Sequence, residues 1–298
     1  MNRVMEWAMA PCSGLRLKAF RWALTLALLI YTVAWALDAH EWLSAAGYHI
    51  SPAASHGFAR ALPLLPGFLV PVFLLLYLGS MVAVLFDVRA RLCSWLVFAG
   101  LIYATMVDRL AAFSMNKIAL VAWAVLLLAP WLETEPTKPT EPTESTEPRR
   151  EALRPEPRLA SIWPIRVLQV TLMLQYLGAG ICKLRGDWAD SSRALWLQVQ
   201  GPFMTDFAAW MVRTMPTWIW APLQHGALAF ELAAPLLFAV VRLRPVAFVW
   251  GLAMHLVIAA MMYRVGFFSL SVVAFYTLFL DERLLARLGG YQLVPDRT

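Results

Sequence analysis

The chain has 298 residues, 60% of them hydrophobic and only 15% charged, with 14 tryptophans. Soluble domains carry about 25% charged residues, so this composition excludes an ordinary soluble fold and indicates a protein that crosses a lipid bilayer several times. The formal net charge of +6 does not point to nucleic acid, because most basic residues stand between apolar runs, where they set orientation in the membrane.

Eight apolar runs approach the ~20 residues that a helix needs to cross a bilayer. They lack the alternation of barrel strands. In chain order they cover residues 20–37, 67–86, 92–107, 118–132, 162–183, 226–241, 246–263 and 265–280. The basic start leads into the first run with no small-residue cleavage site behind it, unlike a signal peptide. Three cysteines cannot build a disulfide framework. Arg3, Arg16, Lys18 and Arg21 precede the first run, Arg89 and Arg91 follow the second, Arg242 and Arg244 separate the sixth and seventh, and Arg283 and Arg287 follow the eighth. The alternate connections are poor in such residues: Arg60 stands alone in 38–66 and Arg264 alone between the last two runs. The positive-inside rule then places both termini in the cytoplasm. The expected fold class is an all-α integral membrane protein of about eight transmembrane helices.

Two long connections divide it. Residues 133–157, ETEPTKPTEPTESTEPRREALRPEP, repeat Glu-Pro-Thr; prolines this dense block helix and sheet, so this is an extended cytoplasmic linker. It separates an N-terminal membrane half, 1–132, from a C-terminal half, 158–298. The segment 184–225 is extracytoplasmic and punctuated by Trp188, Trp196, Trp210, Trp218 and Trp220, with Phe203 and Phe207 between them. Indole prefers the membrane–water boundary, so short amphipathic helices lying on the surface are expected. They either cover a cavity or simply anchor the loop.

Ionisable groups within spans are costly and mark pathways or sites. Glu231 sits in the sixth run and His255 in the seventh. In the fifth, Arg166, Gln169, Met173, Tyr176, Gly180 and Lys183 are spaced by three and four residues and share one helix face. A rise of ~1.5 Å per residue puts Lys183, Glu231 and His255 in the outer half of the bilayer. Lys183 is read as a snorkelling anchor, a charge partner or a base; only four of the 25 basic residues are lysine, and lysine, unlike arginine, can lose its proton when desolvated. Glu231 is a structural hydrogen-bonding group or a proton carrier, and His255 a packed polar residue or part of a site. Asp187 is expected to cap the segment after the fifth span and Trp188 to anchor it. No metal motif, glycine-rich phosphate loop or nucleophile elbow occurs.

The run Tyr176-Leu-Gly-Ala-Gly180-Ile-Cys-Lys183-Leu184, followed by Asp187-Trp188, resembles the YxxAGxxKLxxDW signature of the membrane domain of vitamin K-dependent gamma-glutamyl carboxylases and their bacterial relatives, the HTTM-domain proteins. Glu231-x-x-x-Pro235, Met254-His255, Gly266-Phe267-Phe268-Ser269 and the early Phe20-Arg21 are similar to further features of that family. The likeness spans most of the chain, loosely in the N-terminal half.

The resemblance implies a multi-pass protein of the bacterial inner membrane with its site at the outer face, in agreement with the charge-based orientation. It implies a reduced quinone of the vitamin K type as cofactor and Lys183 as the base that deprotonates it, with Glu231 and His255 completing the catalytic set. Tyr176, Gln169 and Trp188 would contact substrate, and Gly180, Leu184 and Asp187 would form the structural part of the motif. The carboxylases also carry a large soluble C-terminal domain and a histidine after an asparagine in the N-terminal half. This sequence continues only briefly past the eighth run, and Asn116 is followed by Lys117. The expectation is therefore quinol-linked modification of a small or peptide substrate, not glutamate carboxylation as such. The alternatives are a non-enzymatic accessory for maturation, export or immunity of a secreted peptide, and a quinone-binding electron-transfer subunit.

Overall fold

The computed structural model describes residues 3–49, 62–107, 114–129 and 159–289. The expected linker 133–157, Arg60 and the end of the fourth apolar run lie outside the described residues.

Helix α1 (Arg3–Met9) and strand β1 (Pro11–Ser13) lead into α2 (Leu15–Ala36). Phe20, Leu24, Leu28 and Thr32 recur every fourth residue and are fully buried, so one stripe of α2 faces the bundle. After α3 (Ala39–Leu43), a 3-10 turn at Gly67–Leu69 opens α4 (Val70–Leu85), followed by α5 (Ala90–Val107) and α6 (Ser114–Leu128). The α4–α5 turn carries Asp87 and Arg89 at positive φ, 56° and 42°, a conformation uncommon outside glycine. Asp87 is held there by Arg21 and by Lys18 at 3.0 Å, both from α2.

Strand β2 (Leu159–Ser161) pairs antiparallel with β1, Pro11 opposite Ser161. This small ribbon ties the entrance of α2 to that of α7 (Trp163–Arg185); three residues are too few to show a periodicity, which is why apolar patterning misses it. The Trp-rich segment then forms α8 (Asp187–Asp190), α9 (Ala194–Val199) and α10 (Asp206–Thr214) before α11 (Trp220–Ala239). α12 (Arg244–Met261) and α13 (Val265–Ala274) follow, and a 3-10 turn at Phe275–Phe279 extends α13 before α14 (Glu282–Gly289). Arg244 donates from Nε to the Phe238 carbonyl at 3.1 Å, closing the end of α11.

The expected all-α membrane architecture is present. Five segments, α2, α4 with its opening turn, α5, α7 and α12 with the turn before it, are long and apolar enough to cross a bilayer, or six if α13, its 3-10 extension and α14 count as one span bent by 104°. Their outward faces are apolar. Val246, Val249, Leu252 and Leu256 line one side of α12 and are exposed, as are Val72, Leu75 and Leu76 on α4. Continuous apolar surface of this kind calls for lipid rather than water. Of the other apolar runs, α6 is a 15-residue helix, and α11 has 20 residues but carries Gln224, His225 and Glu231. α11 also begins at Trp220, not near residue 226.

α7 and α11 pack on each other at Gly180, where an added Cβ would stand 2.9 Å from Leu232 Cδ2 and 3.1 Å from the Leu232 backbone nitrogen. Gly178, half a turn away, faces open space. Gly180→Val is expected to destabilise the protein by about 1–3 kcal/mol through overpacking, whereas Gly178→Ala should leave stability unchanged or raise it by up to ~1 kcal/mol through helix propensity. Thermal unfolding in a fixed detergent checks the pair; equal effects at both positions would refute the contact.

Candidate functional site

The C-terminal end of α7 is apolar until Lys183, and its partner helix is apolar on either side of Glu231. Two charges in such surroundings are stable only when paired. Lys183 Nζ donates to Glu231 Oε1 in a short charge-assisted hydrogen bond. The pair is asymmetric. The Lys183 side chain is 25% exposed and that of Glu231 only 7%, so the ammonium sits at a rim and the carboxylate below it. Glu231 Oε2 is buried and has no partner among the described residues. Pro235 lies four residues after Glu231; with no N–H, it leaves the Glu231 carbonyl without its helical donor. Lys183 Nζ also stands 4.6 Å from the centre of the Trp188 ring, a cation–π contact.

A second polar series runs beside the pair. Tyr176 Oη lies 2.7 Å from His255 Nε2 and 2.7 Å from Tyr276 Oη, and His255 Nδ1 lies 3.1 Å from Ser269 Oγ. Both histidine ring nitrogens are therefore engaged by hydroxyls. The rings are held by packing: Phe230 meets Tyr176 edge-on at 5.1 Å, and Phe238 lies 5.0 Å from Tyr276. Gly251 makes room for the Tyr276 hydroxyl, which an added Cβ would approach to 2.0 Å.

Lys183, Glu231, Tyr176, His255 and Trp188 all line one cavity of about 480 Å³, within the roughly 300–1,000 Å³ usual for small-molecule sites. The structure thus brings together five of the residues singled out in the sequence. Gln169 is a correction: it is not among the lining residues. It lies 14 positions before Lys183, about 21 Å along the helix, and its buried amide donates to the Leu278 carbonyl at 2.9 Å and accepts from Arg166. Its role is to hold α7 to the turn after α13. Asp187 is a second correction. Gly186, in an extended conformation, occupies the cap position, and Asp187 is the first residue of α8 with no side-chain capping bond. Gly180 sits at the helix contact, and Leu184 is half exposed on the outside of α7.

The Trp-rich segment covers this cavity. Trp188, Leu195, Gln198 and Phe203 line it, while Val199, Ala208, Met211, Trp220 and Met261 form a small core of their own behind. Gln224, fully buried, fastens the cover: its Oε1 accepts from Leu195 N at 2.9 Å, and its Nε2 donates to the carbonyls of Trp188, at 2.7 Å, and Ser191. Thr205 caps α10 by accepting from Ala208 N at 3.1 Å and donates to the Ala260 carbonyl at 2.6 Å. Sequence reasoning passed over Gln224 and Tyr276 as functional groups and met Ser269 only as part of the Gly266–Ser269 likeness. Ser269 and Tyr276 are seven residues apart, two helical turns on one face, which is the signal that was available.

Among the described residues no group of three or more His, Cys, Asp or Glu side chains could hold a metal ion. Cys12, Cys93 and Cys182 are free thiols. Comparison with family models, curated proteins and solved structures finds no match to this chain.

Lys183→Met would strand the Glu231 carboxylate with neither oxygen paired, and breaking a buried pair typically costs about 3–5 kcal/mol. Lys183→Met combined with Glu231→Leu should recover most of that loss. Thermal unfolding of the two variants in lipid nanodiscs measures the difference, and a double variant no more stable than the single would show that the pair carries no coupling.

Proposed function

We propose that the chain is a carboxylase-like membrane enzyme of the HTTM type, which uses a reduced quinone to modify a small or peptide substrate at the extracytoplasmic face. The observation that carries this reading is the Lys183–Glu231 pair set in an apolar cavity, with one carboxylate oxygen still open. A hydroxyl-bearing aromatic ligand suits both features. Its O–H would satisfy Glu231 Oε2, and its ring suits walls that include Tyr77, Leu101, Phe267 and Phe268.

A quinol, once deprotonated, supplies reducing electrons for oxygen chemistry. The protein's part is to take and hold the proton. Transfer of a proton from Lys183 Nζ to Glu231 Oε1 leaves a neutral amine, which accepts a hydroxyl proton and becomes an ammonium again, so the charge of the site stays balanced. His255, between Ser269 and Tyr176, and Tyr276 beyond them, orient the substrate and offer a hydrogen-bonded path along which protons move. Trp188 and the segment that Gln224 fastens keep water from the cavity.

The same proposal includes eight membrane passes, with α6, α11 and α13 completing the five strongest candidates, both termini in the cytoplasm and a bacterial inner-membrane location. The basic residues gathered at the entrances of α2, α5 and α12 support that orientation. A second reading is favoured by the exposed Phe207, Trp210 and Trp218: a docking face for a secreted peptide, on a protein that handles it without chemistry.

Oxygen uptake and quinol oxidation by purified protein, with a panel of reduced quinones, test the enzyme. Lys183→Ala and Lys183→Arg should both lose turnover by about 10²-fold or more, the scale of general-base catalysis, because arginine keeps its proton. Retention of activity in Lys183→Arg would rule out Lys183 as the base and leave it a charge contact.

A further inference from the structure

Arg264 is the one basic residue between α12 and α13. It lines the cavity and its guanidinium stands 5.9 Å from the centre of the Trp42 ring. The other charged lining residues, Lys183 and Glu231, are paired with each other and cancel. The described lining of the cavity therefore carries one net positive charge, on Arg264. No described carboxylate forms an ion pair with it.

A guanidinium stays charged in any surroundings proteins provide, and its planar donors match a carboxylate or phosphate. Facing an apolar space, it favours an anion as counter-charge. The walls beside it suit the rest of such a ligand. Tyr31 from α2 and Phe267 from α13 pack at 5.8 Å, and Trp35, Leu43, Val265 and Phe268 continue the surface. This wall belongs to α2, α3 and α13, whereas Lys183 and Glu231 stand on α7 and α11.

We infer that Arg264 is an anion-recognition residue and that the cavity takes an amphipathic anion, an apolar chain or ring system bearing one carboxylate or phosphate at Arg264. The inference goes beyond the quinol reading and does not rest on it: it needs binding and no turnover, so it can fail while Lys183 chemistry stands, or hold if that chemistry fails.

The test uses the full chain in nanodiscs of zwitterionic phosphatidylcholine. Binding of radiolabelled dodecanoate and of dodecyl phosphate is measured by scintillation proximity, with methyl dodecanoate as an uncharged competitor. At least one anion should bind saturably, and the ester should compete about tenfold more weakly or worse. Arg264→Gln should weaken binding by about tenfold or more, and Arg264→Lys by less, since the charge remains but the planar fork is lost. Arg213→Gln, an exposed position on α10, controls for general attraction to the outer surface and should change binding by no more than about twofold. Saturation by dodecanoate alone identifies a carboxylate ligand, by dodecyl phosphate alone a phosphate of the lipid-headgroup kind, and by both the shared anion chemistry. The inference is overturned if neither anion saturates, if the ester competes equally, if Arg264→Gln binds like wild type, or if Arg213→Gln weakens binding as much as Arg264→Gln.

Discussion

The close approach of α7 and α11 decides where the polar groups of this protein stand. Gly180 faces Leu232, the residue next to Glu231, and Lys183 is one turn above Gly180. Removing the side chain at one position of α7 thus brings two helix backbones near enough for a lysine on one to reach a carboxylate on the other. Neither charge would be tolerated alone in an apolar bundle. Their pairing is a consequence of helix spacing, and the helix spacing depends on a glycine.

Around that contact the molecule sorts its surfaces by solvent. The outward sides of α2, α4 and α12 are lined by exposed aliphatic and aromatic residues, which lipid accommodates and water would not. The inward sides combine a dense aromatic core with a few polar groups, and Tyr176, His255, Tyr276, Lys183 and Glu231 each find a partner on another element. Tyr176 is the hinge between the two polar series: it lies on the α7 face that also carries Gly180 and Lys183, and its hydroxyl reaches His255 on α12 and Tyr276 beyond α13. Gly251 permits the second of these contacts by leaving space for the Tyr276 hydroxyl. Two glycines, on different helices, therefore shape the site as much as its charged residues do.

The Trp-rich segment shows how a stretch that reads as surface anchoring acquires a structural task. Its tryptophans are divided in role. Trp220 is fully buried, Trp188 meets Lys183 and lines the cavity, and Trp218 and Trp210 stay exposed. One glutamine, Gln224, joins the segment to α11 through three backbone groups. Those bonds tie the start of α11 to the cover over the cavity.

Much of this was legible in the sequence. Apolar run length marks most of the helices, because a bilayer imposes a minimum length. The spacing of Tyr176, Gly180 and Lys183 places them on one helix face, because an α-helix repeats every 3.6 residues. Glu231 and His255 stand out within apolar runs, because unpaired polar groups are costly in hydrocarbon. What the sequence could not decide is which polar residues meet. Gln169 has the same helical spacing as Tyr176 yet bonds to a backbone carbonyl outside the cavity lining, while Gln224, which looks like part of a loop, holds the cover in place. Arg264 reads as a stray charge until α3 brings Trp42 to it. Periodicity is a property of one helix, set by local backbone geometry; partnership is a property of several, set by packing between residues distant in the chain, and only the tertiary structure contains it.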